Sequence, residues 1–333
     1  MTERPAFGSV ATSSGPGPLA SVPSRLLSRF DWRQYVIYIV FGVLFVVFAA
    51  MFHKDGFLNG NNLLNIIRQT ATISVMATAM TFVIAAAEID LSVGALAGLS
   101  SCITAMSIEH YGMTAGILSG LGIGVLVGTL NGSLVTLLRI PSFLVTLGML
   151  GITQGVAMWI TAESAQPILD NTYNNIFGGG DWGPVPSLAF WTALFVIVGA
   201  FILRKTTFGR QTLATGGNRT AADYSGIKTA RVKFTVLFAS SVVAAFAGML
   251  YAGRLASGRF DWGTGDELSV IAAVILGGTS LFGGNGSVIG AFFGSIMIGM
   301  INNALLLGNL GAEQQEVVRG AVIVFAVALG RRK

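Results

Sequence analysis

The sequence predicts an all-α fold, a polytopic membrane helix bundle of about ten transmembrane helices. Hydrophobic residues make up 53% of the chain and charged residues only 11%, against about 25% charged in an ordinary soluble domain. Apolar stretches of 16 to 24 residues recur along its length, and the mean hydropathy is +0.72. Runs of that length suit helices crossing a hydrocarbon layer about 30 Å thick. A closed β-barrel would instead alternate over segments of about ten residues.

The elements follow in order. Residues 1–33 are rich in Ser, Gly and Pro and carry Arg4, Arg25, Arg29 and Arg33, the composition of a disordered basic cytoplasmic tail. The first apolar run begins only near Tyr35, too late for a secretory signal, and reads as a retained helix. The expected spans are 35–52, 68–87, 91–109, 115–138, 142–161, 188–203, 234–253, 268–283, 287–307 and 315–330. The eighth is short and reads as bent or partly re-entrant. Residues 34–330 thus form one transmembrane domain, with a long hydrophilic loop at 204–233 and a basic end at 331–333.

With the N-terminus inside, 15 of the 20 Lys and Arg residues fall on the cytoplasmic side. They lie in the tail, at Arg139, in Arg204 to Lys233 and at Arg331-Arg332-Lys333. That asymmetry places both termini in the cytoplasm. The sequence pI near 9.6 is therefore read as membrane orientation, and no nucleic acid is expected.

Several chemistries are excluded. No G-x-x-x-x-G-K-S/T motif occurs, so the chain has no visible means of hydrolysing ATP. G-x-S-x-G and H-E-x-x-H are missing, and His53 and His110 sit at expected outer span ends. Cys102 is the single cysteine, which leaves no disulfide framework and no cysteine metal site within one chain. No catalytic residue, metal ligand or bound cofactor is expected.

Polar residues inside the apolar background are the candidate path or gate. Glu88 and Asp90, with Ser92, are flanked by apolar sequence on both sides, and such carboxylates face a bundle interior or an aqueous cavity. Asp90 with Ser92 reads as an N-cap of the following helix or as part of the path; a proton relay through Glu88 would call for further buried ionisable partners. Asn131, Asn302 and Asn303 are amides within spans, suited to bonding between helices or to a polyhydroxylated solute. Glycines at 116, 120, 122, 124 and 128 permit close helix packing, and Gly277 to Gly286 reads also as a break in the helical backbone.

Two loops stand out. Ala162 to Ser187, with Asp170, Asn171, Tyr173, Asn174, Asn175 and Trp182, reads as an outer interfacial or docking segment, or as a solvated connector. The cytoplasmic loop contains a short helix, Thr220 to Ser225, entered from Gly216-Gly217-Asn218 and ended at Gly226. A helix that short has no independent stability and needs a partner surface.

From Phe57 to Gly311 the residues resemble the permeases of ribose-type ABC sugar importers. The resemblance is carried by Ile89-Asp90-Leu91-Ser92-Val93-Gly94, by Asn131-Gly132, and by Ile140-Pro141-Ser142-Phe143 with Thr146-Leu147-Gly148. The loop Gly209-Arg210 to Gly226-Ile227, and Glu267-Leu268 with Ala272 to Leu281, carry it further. It implies an ABC importer permease in the bacterial inner membrane that dimerises, as homodimer or paralogous heterodimer, around a central path. It also implies a periplasmic sugar-binding protein outside and a cytoplasmic ATP-binding subunit inside, the latter using the ATP. Ala221-Ala222 and Gly226 look like the family's coupling segment, and with Gly209, Arg210, Ala214, Gly217 and Asn218 they form the expected ATPase-coupling loop. Two stretches depart from the family pattern: Ala87-Glu88, where small residues, often Gly-Gly, are usual, and the acidic Ala312 to Glu316. The expected cargo is a pentose, hexose or related polyol, with a nonsugar solute such as a branched-chain amino acid or nucleoside, or an ion-coupled secondary transporter, as the alternatives.

Overall fold

A computed structural model describes residues 36–311, 313–315, 317, 318, 320, 321 and 324. The basic tail 1–33, most of the expected span 315–330 and residues 331–333 lie outside the described residues. Over the described residues 36–311 the α-helices are, in order, α1 Val36–Met51, α2 Gly60–Ala85, α3 Val93–Tyr111, α4 Met113–Thr136, α5 Ser142–Thr161 and α6 Asn171–Asn174, then α7 Ser187–Lys205, α8 Thr207–Gly217, α9 Arg219–Tyr224, α10 Thr229–Leu255, α11 Asp266–Leu276 and α12 Val288–Leu307. Six of them, α2, α4, α5, α7, α10 and α12, are long and apolar enough to cross a membrane. The chain is thus a multi-pass helix bundle.

α10 is the central post, packed against α4, α3 and α2. α3 has the length of a span but carries Ser100, Ser101 and Thr104, all fully buried. It is enclosed by protein, so its surface need not be as apolar as one facing lipid. The glycines of α4 show how closely the helices approach. A Cβ at Gly116 or Gly120 would lie 2.4 Å from Ile108 or 2.2 Å from Thr104 of α3; at Gly124 it would meet Ala245 of α10 at 2.6 Å. Gly122, on the other face, meets nothing within 4 Å and is no packing glycine.

Three spans differ from expectation. α2 starts at Gly60 rather than at 68, because Asn59 caps it by accepting the N–H of Asn61 at 3.0 Å. Arg68 therefore sits on the helix, where it pairs with Asp181 at 2.6 Å. The expected span 268–283 stops at Leu276. There Gly277 ends α11, Gly278 takes φ +84°, and Gly278 and Thr279 return their N–H groups to Ile275 and Val274. At 11 residues, α11 is about 16 Å long, half a hydrocarbon thickness. α10 is longer than expected and ends at Leu255.

Short strands tie the connectors down: β1 Gln166–Pro167 pairs antiparallel with β4 Ser257–Gly258, and β2 Asp181–Trp182 with β3 Val185–Pro186. The connector 162–186 is folded into the bundle. Tyr173 is fully buried and donates its hydroxyl to the Met249 carbonyl at 2.9 Å, and Phe177 stacks between Tyr173 and Trp191.

The close contacts set a test. A Cβ at Gly248 of α10 would lie 2.1 Å from the Ala97 carbonyl oxygen of α3, so Gly248→Leu is expected to cost about 3 kcal/mol through overpacking. Gly122→Ala is expected to be neutral or to stabilise by up to about 1 kcal/mol. Thermal unfolding in detergent checks both; equal shifts in the two variants would contradict this packing.

Candidate functional site

The polar residues gather where α2 ends, α3 and α10 begin and the α8–α9 hairpin folds back. Between α2 and α3 the chain leaves helical geometry, and its backbone groups need partners inside the bundle. α5 supplies them. Ser142 Oγ accepts the Ile89 N–H at 3.2 Å, and Thr146 Oγ1 accepts that of Leu91 at 3.0 Å and donates to the Ile89 carbonyl at 3.3 Å. Asp90, fully buried, accepts the N–H and the hydroxyl of Ser92 at 3.0 and 2.6 Å. Asn131 of α4 donates to Ser92 Oγ at 3.1 Å, which brings three of the expected path residues together. Ser92 stands at the N-cap of α3, yet its hydroxyl is spent on Asp90 and makes no capping bond. The expected cap is instead an Asx turn at Asp90, just ahead of the helix.

Glu88 is separate from that chain. Its side chain is 8% exposed and forms an ion pair with Lys233 in the first turns of α10. Sequence spacing alone puts Lys233 in the cytoplasmic loop and leaves Glu88 without an ionisable partner; the fold joins them. Just before it, Ala87 takes a left-handed φ of +59°. The N–H groups of Ala87 and Glu88 return to Ile84 and Val83, so Ala87 occupies the position that favours glycine at a helix end. That is the physical content of the departure from Gly-Gly noted above.

The loop 204–233 is helical through most of its length. α8, not expected from the sequence, is capped by Thr206, whose Oγ1 accepts the Gly209 N–H at 3.2 Å. Gly209 is buried, with space for no Cβ beside the Leu203 carbonyl. Arg210 and Ala214 are exposed. Gly216 rests on the Ala85 carbonyl of α2, and Gly217 faces Gly284. α9 runs Arg219–Tyr224 between two caps. Asn218 Oδ1 accepts the Ala221 N–H at 3.0 Å; Gly226, at φ +82°, and Ile227 return their N–H groups to Asp223 and Ala222. Ala222 is buried, and Tyr224 is 89% exposed. Beside this hairpin lies a cavity of about 330 Å³ bordered by Phe208, Gln211, Gly226, Lys228 and Arg231.

Asn302 and Asn303 lie on α12, away from these groups. Asn303 is buried and exchanges reciprocal amide bonds of 2.8 and 2.9 Å with Asn62 of α2. Asn302 is half-buried. Gly277 to Gly286 is a true break in the helix. Gly284 donates to the Ala85 carbonyl, and Thr279 accepts the Ser287 N–H at 3.2 Å, so the turn is docked on α2 and α8.

Sequence reasoning missed Ser142, Thr146, Asn62 and Lys233 as members of these networks. Ser142 and Thr146 carried a signal: two hydroxyls at i and i+4 directly after Pro141, opening a span. Asn62 and Lys233 carried none, because their partners lie far away along the chain.

A bundle with discontinuous helices and buried polar junctions has the architecture of a membrane permease. The chain belongs to the family described as branched-chain amino acid transport system / permease component, whose profile matches residues 62–327. It is a transport component rather than an enzyme. It is 39% identical to the "Probable ABC transporter permease protein YphD" of Escherichia coli strain K12, over 93% of this chain and 94% of that protein. Identity is 38% with the ribose import permease protein RbsC of Bacillus subtilis strain 168, covering 88% and 91%, and 34% with the L-arabinose ABC transporter permease protein AraH of Azospirillum brasilense, covering 94% and 93%. No solved structure matches the chain.

Lys233→Met would leave Glu88 charged and unpaired, and a loss of about 3 kcal/mol in detergent unfolding is expected, with partial recovery on adding Glu88→Gln. No recovery in the double variant would show that the pair is not what holds the junction. Ala87→Gly is expected to raise stability by about 1 kcal/mol, since glycine adopts a left-handed φ freely; a fall in Tm would count against strain at that site.

Proposed function

We propose that this chain is the membrane-spanning subunit of a bacterial ABC importer that carries a monosaccharide or related polyol into the cytoplasm. The named relatives with known cargo transport ribose and arabinose, and the family description alone would favour a branched-chain amino acid. In this reading the chain crosses the inner membrane ten times, the tenth span being 315–330, with both termini in the cytoplasm. The segregation of 15 of 20 basic residues supports that orientation.

The observation that carries the reading is α9. It is six residues long, capped at both ends, seated by Ala222 and otherwise exposed, on a chain with no ATP-binding motif. Such a helix suits a cleft on a separate ATP-binding subunit, which would supply the energy. Through α8 it is joined to α7, and Gly216 couples it to the end of α2. ATP-driven closure of two such subunits would move α8 and α9 as a unit and shift α7 and α10 with them, opening the path alternately to either side. A periplasmic binding protein would deliver the sugar. A second permease copy would complete the path, and the α5 face bearing Gly148, Gly151 and Gly155, which meet nothing within 4 Å, suits that contact.

Ala222→Arg is expected to abolish uptake of labelled ribose and arabinose in proteoliposomes containing the ATPase and binding protein. Gly226→Glu is expected to do the same, with ATP hydrolysis no longer stimulated by the loaded binding protein and membrane insertion intact. Wild-type uptake in either variant would refute the coupling role. Uptake by the chain alone, driven by an ion gradient without ATP, would refute the ABC assignment.

A further inference from the structure

Between α10 and α11 the chain makes no regular helix over residues 256–265, yet it runs beside a helix inside the bundle. One face of α3 carries Gly94, Gly98, Ser101 and Ala105, and the segment lies along it. Gly258 sits against Ser101 and Ala105. A Cβ at Gly98 would lie 2.7 Å from the Phe260 carbonyl oxygen, and one at Gly94 only 2.3 Å from that of Gly263. Between Gly94 and Ala105 α3 rises about 16 Å, so the segment descends by about half the thickness of a membrane. Irregular backbone at such depth is tolerated only where protein buries it or where it borders an aqueous cavity.

This segment carries charge as well. Arg259 pairs with Asp261 at 2.6 Å, and the two side chains remain 42% and 37% exposed. The pair is held in place from several sides. The Arg259 guanidinium lies over the Trp262 ring, 5.0 Å from its centroid, and the Trp262 indole N–H donates to the Ser257 carbonyl at 3.1 Å. Ser101 Oγ accepts the Arg259 N–H at 3.2 Å and donates to its carbonyl at 3.1 Å. Phe260 packs against the cluster of Leu99, Cys102 and Ala157 at the contact of α3 with α5, so the segment lies at that seam. Ionisable groups placed within a span region mark a solute route more often than a structural need.

We propose that the Arg259–Asp261 pair, braced on Trp262, is a polyol-contacting element of the transport path. A guanidinium offers only donors and a carboxylate only acceptors; side by side, they match a vicinal diol, in which one hydroxyl accepts while its neighbour donates. Arg259 directly follows the β1–β4 strand pair on the outer connector, and Gly263 reaches Gly94 beside the Asp90–Ser92 junction, so an incoming sugar would meet the pair before that junction. The inference rests on the sugar reading above.

The test uses the full chain with its ATPase and binding protein in proteoliposomes, at saturating binding protein. Uptake of ribose, arabinose and 2-deoxyribose is measured beside binding-protein-stimulated ATP hydrolysis, for wild type, Asp261→Asn, Arg259→Gln and the conservative Arg259→Lys. Detergent unfolding of each variant controls for folding. Sugar uptake is expected to fall about tenfold in Asp261→Asn and Arg259→Gln, the loss of a charge-assisted hydrogen bond, and less in Arg259→Lys. Stimulated hydrolysis is expected to persist. The preference for ribose over 2-deoxyribose is expected to narrow by a similar factor. An unchanged preference in stably folded variants overturns the inference and leaves the sugar reading intact, as does a parallel fall in uptake and hydrolysis, which would mark a docking or structural role. Wild-type failure to carry any monosaccharide overturns the sugar reading, and this inference with it.

Discussion

Inside a lipid-facing bundle there is no water to satisfy a backbone N–H or C=O that leaves helical geometry. This constraint shapes the junctions from α2 to α3, from α10 to α11 and from α11 to α12. Residues 89–91 borrow Ser142 and Thr146 from α5 in place of a neighbouring strand. Arg259 borrows Ser101 from α3, and the turn after Gly277 borrows the Ala85 carbonyl of α2. Each loan comes from a short side chain or bare backbone, which explains why Gly, Ser and Thr stand where a simple hydrophobic bundle would place Leu. Bulky residues would satisfy nothing and would hold the segments too far apart.

The same economy governs α8 and α9. α9 is too short to be stable alone, so caps at Asn218 and Gly226 and burial of Ala222 hold it in shape while most of its surface stays free. α8 links it to the rest through Gly216 on Ala85, a contact with room for no side chain. The ion pair of Glu88 with Lys233 then fastens the start of α10 to the end of α2. A buried ion pair is weak evidence for stability but a strong constraint on arrangement, because neither charge tolerates losing its partner there. Displacement at α9 therefore meets stiff contacts rather than slack loops.

Parts of the site were legible in the sequence because their cause is local. α9 could be read from Asn218 and Gly226, since an N-cap amide and a left-handed glycine act within one or two turns of chain. The polar character of Glu88, Asp90, Asn131 and Asn303 stood out against apolar neighbours. Their partners did not. Asn62 and Asn303 are separated by 241 positions, and nothing in the sequence near either names the other. α8 went unread because its Thr and Gly content resembles a loop; packing against α7 and α2 supplies what intrinsic propensity lacks.

Taken alone, the sequence determined that the chain is a membrane helix bundle, roughly where most of its helices lie, that it carries no P-loop, and that one short helix is capped at both ends. Those properties follow from composition, run length and local caps, which depend on neighbours a few residues apart. Only the tertiary structure decided which polar groups meet, that α11 is a half-length helix entered from a segment laid along α3, and that Arg259 is held by Ser101 of α3. Such pairings are set by distances across the bundle, where α3's small residues and α5's hydroxyls come within reach only after the helices pack.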